Sequence, residues 1–317
     1  MNGKITTSPM KFLVTGGAGF IGSHIVEYLV KRNDSVTVLD NLNTGKIENL
    51  KNVKNDINFV QGDIRDLKLL EKICDGVDGV FHEAALASVQ ESFSRPVEYH
   101  DVNVNGTENM FQLAQKFGFK VVYASSSSVY GNPKRIPIKE EEPRNPINPY
   151  AQTKVDDEIL AEKYAKMSTK IIGLRYFNVF GERQSNEYAG VIKLFIEKVL
   201  ENQSPKINGD GLQIRDFVFV GDVVKANILA MESKVNHAFF NVGTGTYVSI
   251  LDLAKIIIKA ADLDIKPIHG PALKGDVQQT QADISLIKRV LNWKPETRLE
   301  QWLIDAVKKI KQGAVII

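Results

Sequence analysis

The sequence predicts an α/β protein, with a doubly wound parallel sheet over roughly the first 180 residues and a smaller C-terminal α/β unit after it. Three observations predict this. Short β-rich runs alternate with longer amphipathic ones, a glycine-rich turn joins the first strand to the first helix, and the rhythm changes after Gly181. Alternation of strand and helix requires crossover connections, and these place parallel strands in one sheet with helices on its faces.

The elements follow in order. KFLVT reads as the first strand, and Ile21, Ile25 and Leu29 recur at helical spacing up to Lys31. SVTVLD, INFVQ, GVFH, KVVYASS and KIIGLRYF supply further strands, with amphipathic segments between most of them. Beyond Gly181, GVIKLFIEKVLEN reads as a helix and DFVFVGDVVKANILAM as a strand followed by a helix. FFNVGTG is a strand entering a glycine-rich turn, and SILDLAKIIIKAA is a helix capped by Ser249. There is no internal repeat and no low-complexity segment.

Composition narrows the function classes. The chain has 317 residues, 43% of them hydrophobic and 25% charged, as expected of a globular protein with a substantial core. A net charge of +2 without a long basic run points away from nucleic acid and from membrane surfaces. No apolar run is long enough for a transmembrane helix. The opening MNGKITTSPMKF lacks the apolar core of a signal peptide and reads as a short extension before the first strand. Cys74 is the single cysteine, so no internal disulfide forms, which fits a reducing compartment and a cytoplasmic location. No metal site is expected.

FLVTGGAGFIGSH spaces Gly16, Gly19 and Gly22 between a strand and a helix. Glycines there let the backbone approach a pyrophosphate, and the helix N-terminus presents N–H groups and a positive dipole end. The second strand ends at Asp40, whose carboxylate suits the hydroxyls of an adenosine ribose. No Arg or Lys follows it in DNLNTG, which disfavours a 2′-phosphate and selects NAD.

Two Tyr-x-x-x-Lys spacings compete for a role in proton transfer, Tyr130 with Lys134 and Tyr150 with Lys154. A tyrosine with a pKa of about 10 becomes a useful base when a lysine ammonium is held beside it. One helical turn delivers that geometry. YGNPK contains glycine and proline and cannot form a regular turn of helix. In NPYAQTK, Asn148 can cap the helix and Pro149 suits its first position, so Tyr150 is the candidate base. The serines ending KVVYASS lie where open α/β sheets place their ligands.

With TGGAGFIGSH, VLDNLNTG, GDIRD, FHEAA, VNVNGT, SSSSVYG, PYAQTK, RYFNVFG and RDFVFVGDV, the chain resembles the extended short-chain dehydrogenase/reductase family from about Lys11 to Asp283. Within it, the chain is most similar to the nucleotide-sugar 4-epimerases that act on UDP-hexoses. The resemblance implies a Rossmann-like NAD-binding domain over 1–180, with parts of 216–242 returning to it, and a mainly UDP-sugar-binding domain over 181–317. It assigns catalysis to Ser126, Tyr150 and Lys154 and makes Tyr130 a structural marker. It assigns NAD binding to Gly16, Gly19, Phe20, Ile21, Asp40, Asn41, Asp63, Ile64, Ala84, Ala85, Asn103, Tyr150, Lys154 and Tyr176. Ser88, Ser126, Tyr150, Asn178, Arg215, Asp276 and Thr280 would meet the UDP-sugar. A homodimer is implied, through a helix from about Pro96 to Phe117 and the helix beginning near Tyr150.

Neighbours of Ser126 refine the expectation. The related 4,6-dehydratases carry an Asp-Glu pair where this chain has Ser127 and Ser128, and the related UDP-glucuronate decarboxylases usually carry a glutamate in this segment. Neither serine can abstract a C5 proton, which leaves redox chemistry at C4. Thr280 is small where enzymes restricted to UDP-glucose are bulky, implying room for a 2-acetamido group. Leu273 stands where the family commonly has an arginine for the diphosphate, with Lys274 as a point charge of different reach. The competing readings are a UDP-glucuronate 4-epimerase, another nucleotide-sugar oxidoreductase on the same scaffold, and a non-catalytic NAD-binding protein.

Overall fold

Val, Ile, Leu and Phe fill the β-rich runs, and in the computed structural model, which describes residues 9–184 and 190–313, these runs are strands. The expected N-terminal extension lies largely outside the described residues. In chain order the strands are β1 (Lys11–Thr15), β2 (Ser35–Asp40), β3 (Ile57–Gln61), β4 (Gly79–His82), β5 (Lys120–Ser126), β6 (Ile171–Tyr176) and β7 (Asn178–Phe180). They continue with β8 (Lys206–Asn208), β9 (Ile214–Arg215), β10 (Phe217–Phe219), β11 (His237–Val242), β12 (Val248–Ser249) and β13 (Ile268–Gly270). Seven of them form one sheet in the order β11-β6-β5-β4-β1-β2-β3. Every neighbouring pair in it is parallel.

The helices are α1 (Phe20–Lys31), α2 (Leu67–Cys74), α3 (Val89–Ser92), α4 (Pro96–His100), α5 (Gly106–Phe117) and α6 (Pro149–Ala165), followed by α7 (Val191–Leu200), α8 (Val220–Glu232), α9 (Ile250–Ala260), α10 (Ser285–Leu291) and α11 (Leu299–Lys311). Two apolar cores sandwich the sheet. One joins Val14, Val38 and Leu174 to Ile25 and Leu29 of α1 and Val224 and Ile228 of α8. The other joins Leu13, Val80 and Tyr123 to Phe111 of α5 and Tyr164 of α6. A third core lies among α7, α9 and α11, around Phe195, Ile257 and Leu303.

Two details were not specified by the sequence expectation. Of the segment 216–242, β11 extends the sheet beyond β6, whereas β10 pairs with β7 in a separate two-stranded sheet. The single helix expected from Pro96 to Phe117 contains a π-helical stretch, Asp101–Asn105, between α4 and α5. That stretch turns Asn103 fully inward.

The sheet positions the site. The chain winds outward from β1 in both directions, so β1 and β4 flank the point where strand order reverses. Crevices at such points, beyond the C-terminal ends of the strands, are where open parallel sheets bind ligands.

Candidate active site

A cavity of about 530 Å³ opens at the C-terminal ends of β1, β2, β4, β5 and β6. Its floor is the glycine turn. Gly16 has φ +64°, and a Cβ there would lie 2.7 Å from the Ala84 amide nitrogen, so only glycine allows the turn to press against the strand beside it. Helix α1 starts directly from this turn, with no side-chain cap and no acidic residue in its first turn. Its first N–H groups are therefore left for an anion from the cavity.

Asp40 closes one end. Its Oδ2 accepts from the Ala18 amide at 2.9 Å and its Oδ1 from the Leu42 amide at 2.8 Å. Burial raises its pKa and these amides oppose the rise. Each oxygen retains a second acceptor site for a ribose hydroxyl. Asp63 accepts from Arg65 and from Asn41 Nδ2, and the Arg65 guanidinium holds its carboxyl at about 2. Phe20, Ile21, Ile64, Ala84 and Ala85 complete this half of the wall. Turn, uncapped helix and paired acids together fit an adenine dinucleotide.

The other end carries the proton chemistry. Asn148 Oδ1 accepts from the Ala151 amide at 2.8 Å, Pro149 begins α6, and Tyr150 and Lys154 follow one turn apart. The buried Lys154 ammonium donates to the Ala124 carbonyl at 2.9 Å and to Asp157 Oδ2 at 3.2 Å. Burial works against the ammonium, yet Asp157, Tyr150 and Glu83 hold its pKa above the ordinary lysine value. Burial also pushes the Asp157 carboxyl up to about 7, against the pull of Lys154. Ser126 ends β5; its hydroxyl oxygen accepts from the Ser128 amide at 3.1 Å, leaving its O–H free to donate. Tyr130 lies in the core instead. Its hydroxyl donates to Asn241 at 2.6 Å and accepts from Arg175 at 2.7 Å, and burial raises its pKa.

The cavity thus gathers Gly16, Gly19, Phe20, Ile21, Asp40, Asn41, Asp63, Ile64, Ala84, Ala85, Ser126, Tyr150, Lys154, Tyr176 and Asn178. Five expected site residues do not line it. Asn103 is turned behind the wall, where Nδ2 donates to the Leu86 carbonyl and Thr153, and Oδ1 accepts from the Leu86 amide. It therefore braces the wall segment. Ser88 caps α3 by accepting from the Glu91 amide at 3.2 Å. Arg215 and Asp276 pair with each other at 2.6 Å. Thr280 is buried, with its hydroxyl at 3.5 Å from the Ile214 carbonyl. Leu273 is exposed, and the Lys274 ammonium lies over the Phe93 ring at 4.9 Å.

The NAD dependent epimerase/dehydratase family model matches residues 12–243. The chain belongs to that family. It is 43% identical over 310 residues to the putative UDP-glucose 4-epimerase of Methanocaldococcus jannaschii, covering 95% of this chain and 98% of that protein. Among solved structures, UDP-glucose 4-epimerase of Thermotoga maritima, crystallised with UDP-glucose, matches with a TM-score of 0.91 and 37% identity over 96% of this chain and 99% of that one. UDP-N-acetylglucosamine 4-epimerase of Methanobrevibacter ruminantium M1, in complex with UDP-N-acetylmuramic acid, matches with a TM-score of 0.91 and 38% identity, over 97% of this chain and all 100% of that one.

For an NAD-dependent member of this family, the cavity residues that sequence reasoning passed over include Glu83 and Arg65, and Asp157 lies just behind the wall. Asp157 and Arg65 had no signal beyond their neighbours in sequence. Glu83 did have one, because it is an acidic residue directly after a strand buried along its whole length.

Proposed function

We propose that this protein is a 4-epimerase of UDP-hexoses, interconverting UDP-GlcNAc with UDP-GalNAc and also UDP-glucose with UDP-galactose. The observation that carries the reading is the convergence of Ser126, Tyr150 and Lys154 on one cavity beside a dinucleotide cradle, with serines rather than acids at 127 and 128. A site with serines at 127 and 128 can move a proton at O4 but lacks the Asp-Glu pair that the related 4,6-dehydratases carry there. The N-acetylated preference draws on the small side chain of Thr280 and on the similarity to the M. ruminantium enzyme.

NAD, when bound, would supply reversible hydride transfer at C4. Gly16, Gly19 and the start of α1 would hold its pyrophosphate, and Asp40 and Asn41 its adenosine ribose. Tyr150, with Lys154 beside it, takes the proton from the sugar O4 as the C4 hydride leaves. Ser126 donates to O4 and fixes the developing carbonyl. The 4-keto sugar then turns about its link to the diphosphate, which Asn178 and Arg215 anchor. Tyr150 returns the proton to O4 once hydride has come back to the opposite face. Asp276 holds Arg215 in place until the diphosphate arrives.

Residues 1–180 form the NAD-binding unit in this reading, with 181–317 mainly the sugar-nucleotide unit, working in the cytoplasm. The protein pairs as a homodimer through α4–α5 and α6, where Val97, Ile159 and Met167, just past the end of α6, are exposed. Incubation with UDP-GlcNAc and with UDP-glucose, without added cofactor, tests the reading. Both 4-epimers should form. Conversion of UDP-glucose alone would remove the N-acetyl preference, and conversion of neither would overturn the proposal.

A further inference from the structure

Glu83 follows β4 and lines the cavity, yet the mechanism above does not use it. Its surroundings orient it. Asn227 Nδ2, on α8, donates to the Tyr176 hydroxyl oxygen at 2.8 Å, so the Tyr176 proton points onward to Glu83 Oε1 at 2.9 Å. The chain of amide, phenol and carboxyl ends on Glu83 Oε1, which accepts the Tyr176 proton. Lys154 is the cation whose charge acts on it, and Glu83 in turn helps hold the Lys154 charge. Asp40 and Asp63 mark the adenosine end of the cavity. Glu83, coupled to Lys154 and Tyr176, therefore sits at the nicotinamide end.

The two redox states of nicotinamide differ by one charge, the oxidised ring being cationic and the reduced ring neutral. A carboxylate in a partly desolvated wall distinguishes them by Coulomb energy, which is far larger there than in water. Resting on the NAD assignment, we propose that Glu83 sets the redox bias of the bound cofactor, favouring the oxidised ring from which every cycle must begin. Glu83 is in this sense a positioning charge and takes no proton from the sugar.

The test is an exchange experiment on the full-length holoprotein. The protein is equilibrated with an equimolar excess of NAD+ and NADH, freed of unbound cofactor, and the bound ratio measured after extraction. Glu83→Gln, whose amide oxygen still accepts from Tyr176, should shift the ratio toward NADH by roughly tenfold. Glu83→Leu, equally neutral, should shift it the same way, and Glu83→Asp should stay near the parent. An unchanged ratio in the neutral variants, with cofactor still bound, would overturn the inference alone. A shift in Glu83→Asp as large as in Glu83→Gln would also overturn it, since charge would then not be the cause. Parent protein that retains neither nucleotide would overturn the NAD assignment as well.

Discussion

The Lys154 ammonium and the Asp157 carboxylate lie 3.2 Å apart on the buried face of α6, with Asp157 Oδ1 left without a protein partner. The pair has two consequences. It keeps Lys154 charged beside Tyr150, and it makes each member dependent on the other for its burial. Lys154→Met should therefore destabilise the fold by about 3 kcal/mol, because it leaves Asp157 buried and uncompensated. The double variant Lys154→Met/Asp157→Asn should recover part of that loss while remaining inactive. Urea unfolding of the two variants checks this, and equal stabilities would refute the coupling.

Tyr150→Phe removes from the cavity only the hydroxyl to which the proposed mechanism gives the O4 proton. Turnover should fall by roughly 10³-fold or more while NAD stays bound. Ser126→Ala should cost less, on the order of 10²-fold, since in the proposed mechanism it removes one donor to O4 and leaves the base. Steady-state rates with bound NAD quantified in each variant separate these outcomes from loss of cofactor. Tyr130→Phe should act differently, since it removes a core hydroxyl bonded to Asn241 and Arg175 and so lowers stability more than it lowers the rate.

The legible part of this protein was the part encoded locally. The glycine turn, the Asn148 cap and the Tyr150–Lys154 turn each need only a few adjacent residues, and each appears as the sequence predicted. What could not be read was where a side chain points once distant segments pack. Asn103 belongs to a recognisable motif, but a π-helical stretch turns it toward the Leu86 backbone. Glu83 meets Tyr176, and Tyr176 meets Asn227, only because β4, β6 and α8 converge, far apart in sequence. Arg215 stands next to Asp216 in the sequence. It pairs instead with Asp276, while Asp216 accepts from the amides of Thr244, Gly245 and Ala282.

Burial raises the Glu83 carboxyl from 4.5 to about 7, against Tyr176 and Lys154, the groups that face it and favour its ionised form. The sign follows from proton binding. Between those two values the folded protein holds a proton that the unfolded chain has lost, so stability falls as pH rises through this window and is level above it. The ligand-free Glu83→Gln variant lacks this loss. Relative to the parent it should gain up to about 3 kcal/mol between pH 4.5 and 7. Parallel denaturant midpoints at several pH values test this, and a constant difference would contradict it.

Arg215 anchors the diphosphate in the proposed mechanism, with Leu273 unable to contribute a charge. Arg215→Ala should raise KM for the UDP-sugar by roughly tenfold to a hundredfold, with a smaller change in kcat. Leu273→Arg should lower KM, since it adds a cation from the same loop that carries Asp276. Steady-state kinetics of both variants would show it, and an unchanged KM in Arg215→Ala would place the diphosphate elsewhere.

The central claim is oxidation and reduction at C4 without proton abstraction at C5, and running the reaction in deuterated water tests it most directly. In the proposed mechanism the C4 hydrogen leaves and returns without meeting solvent, while only the exchangeable O4 proton passes through Tyr150. The account predicts a 4-epimer with no deuterium on any carbon and no requirement for added cofactor. Deuterium at C5, or at C4, would show that a carbon-bound hydrogen had exchanged with water and would contradict it.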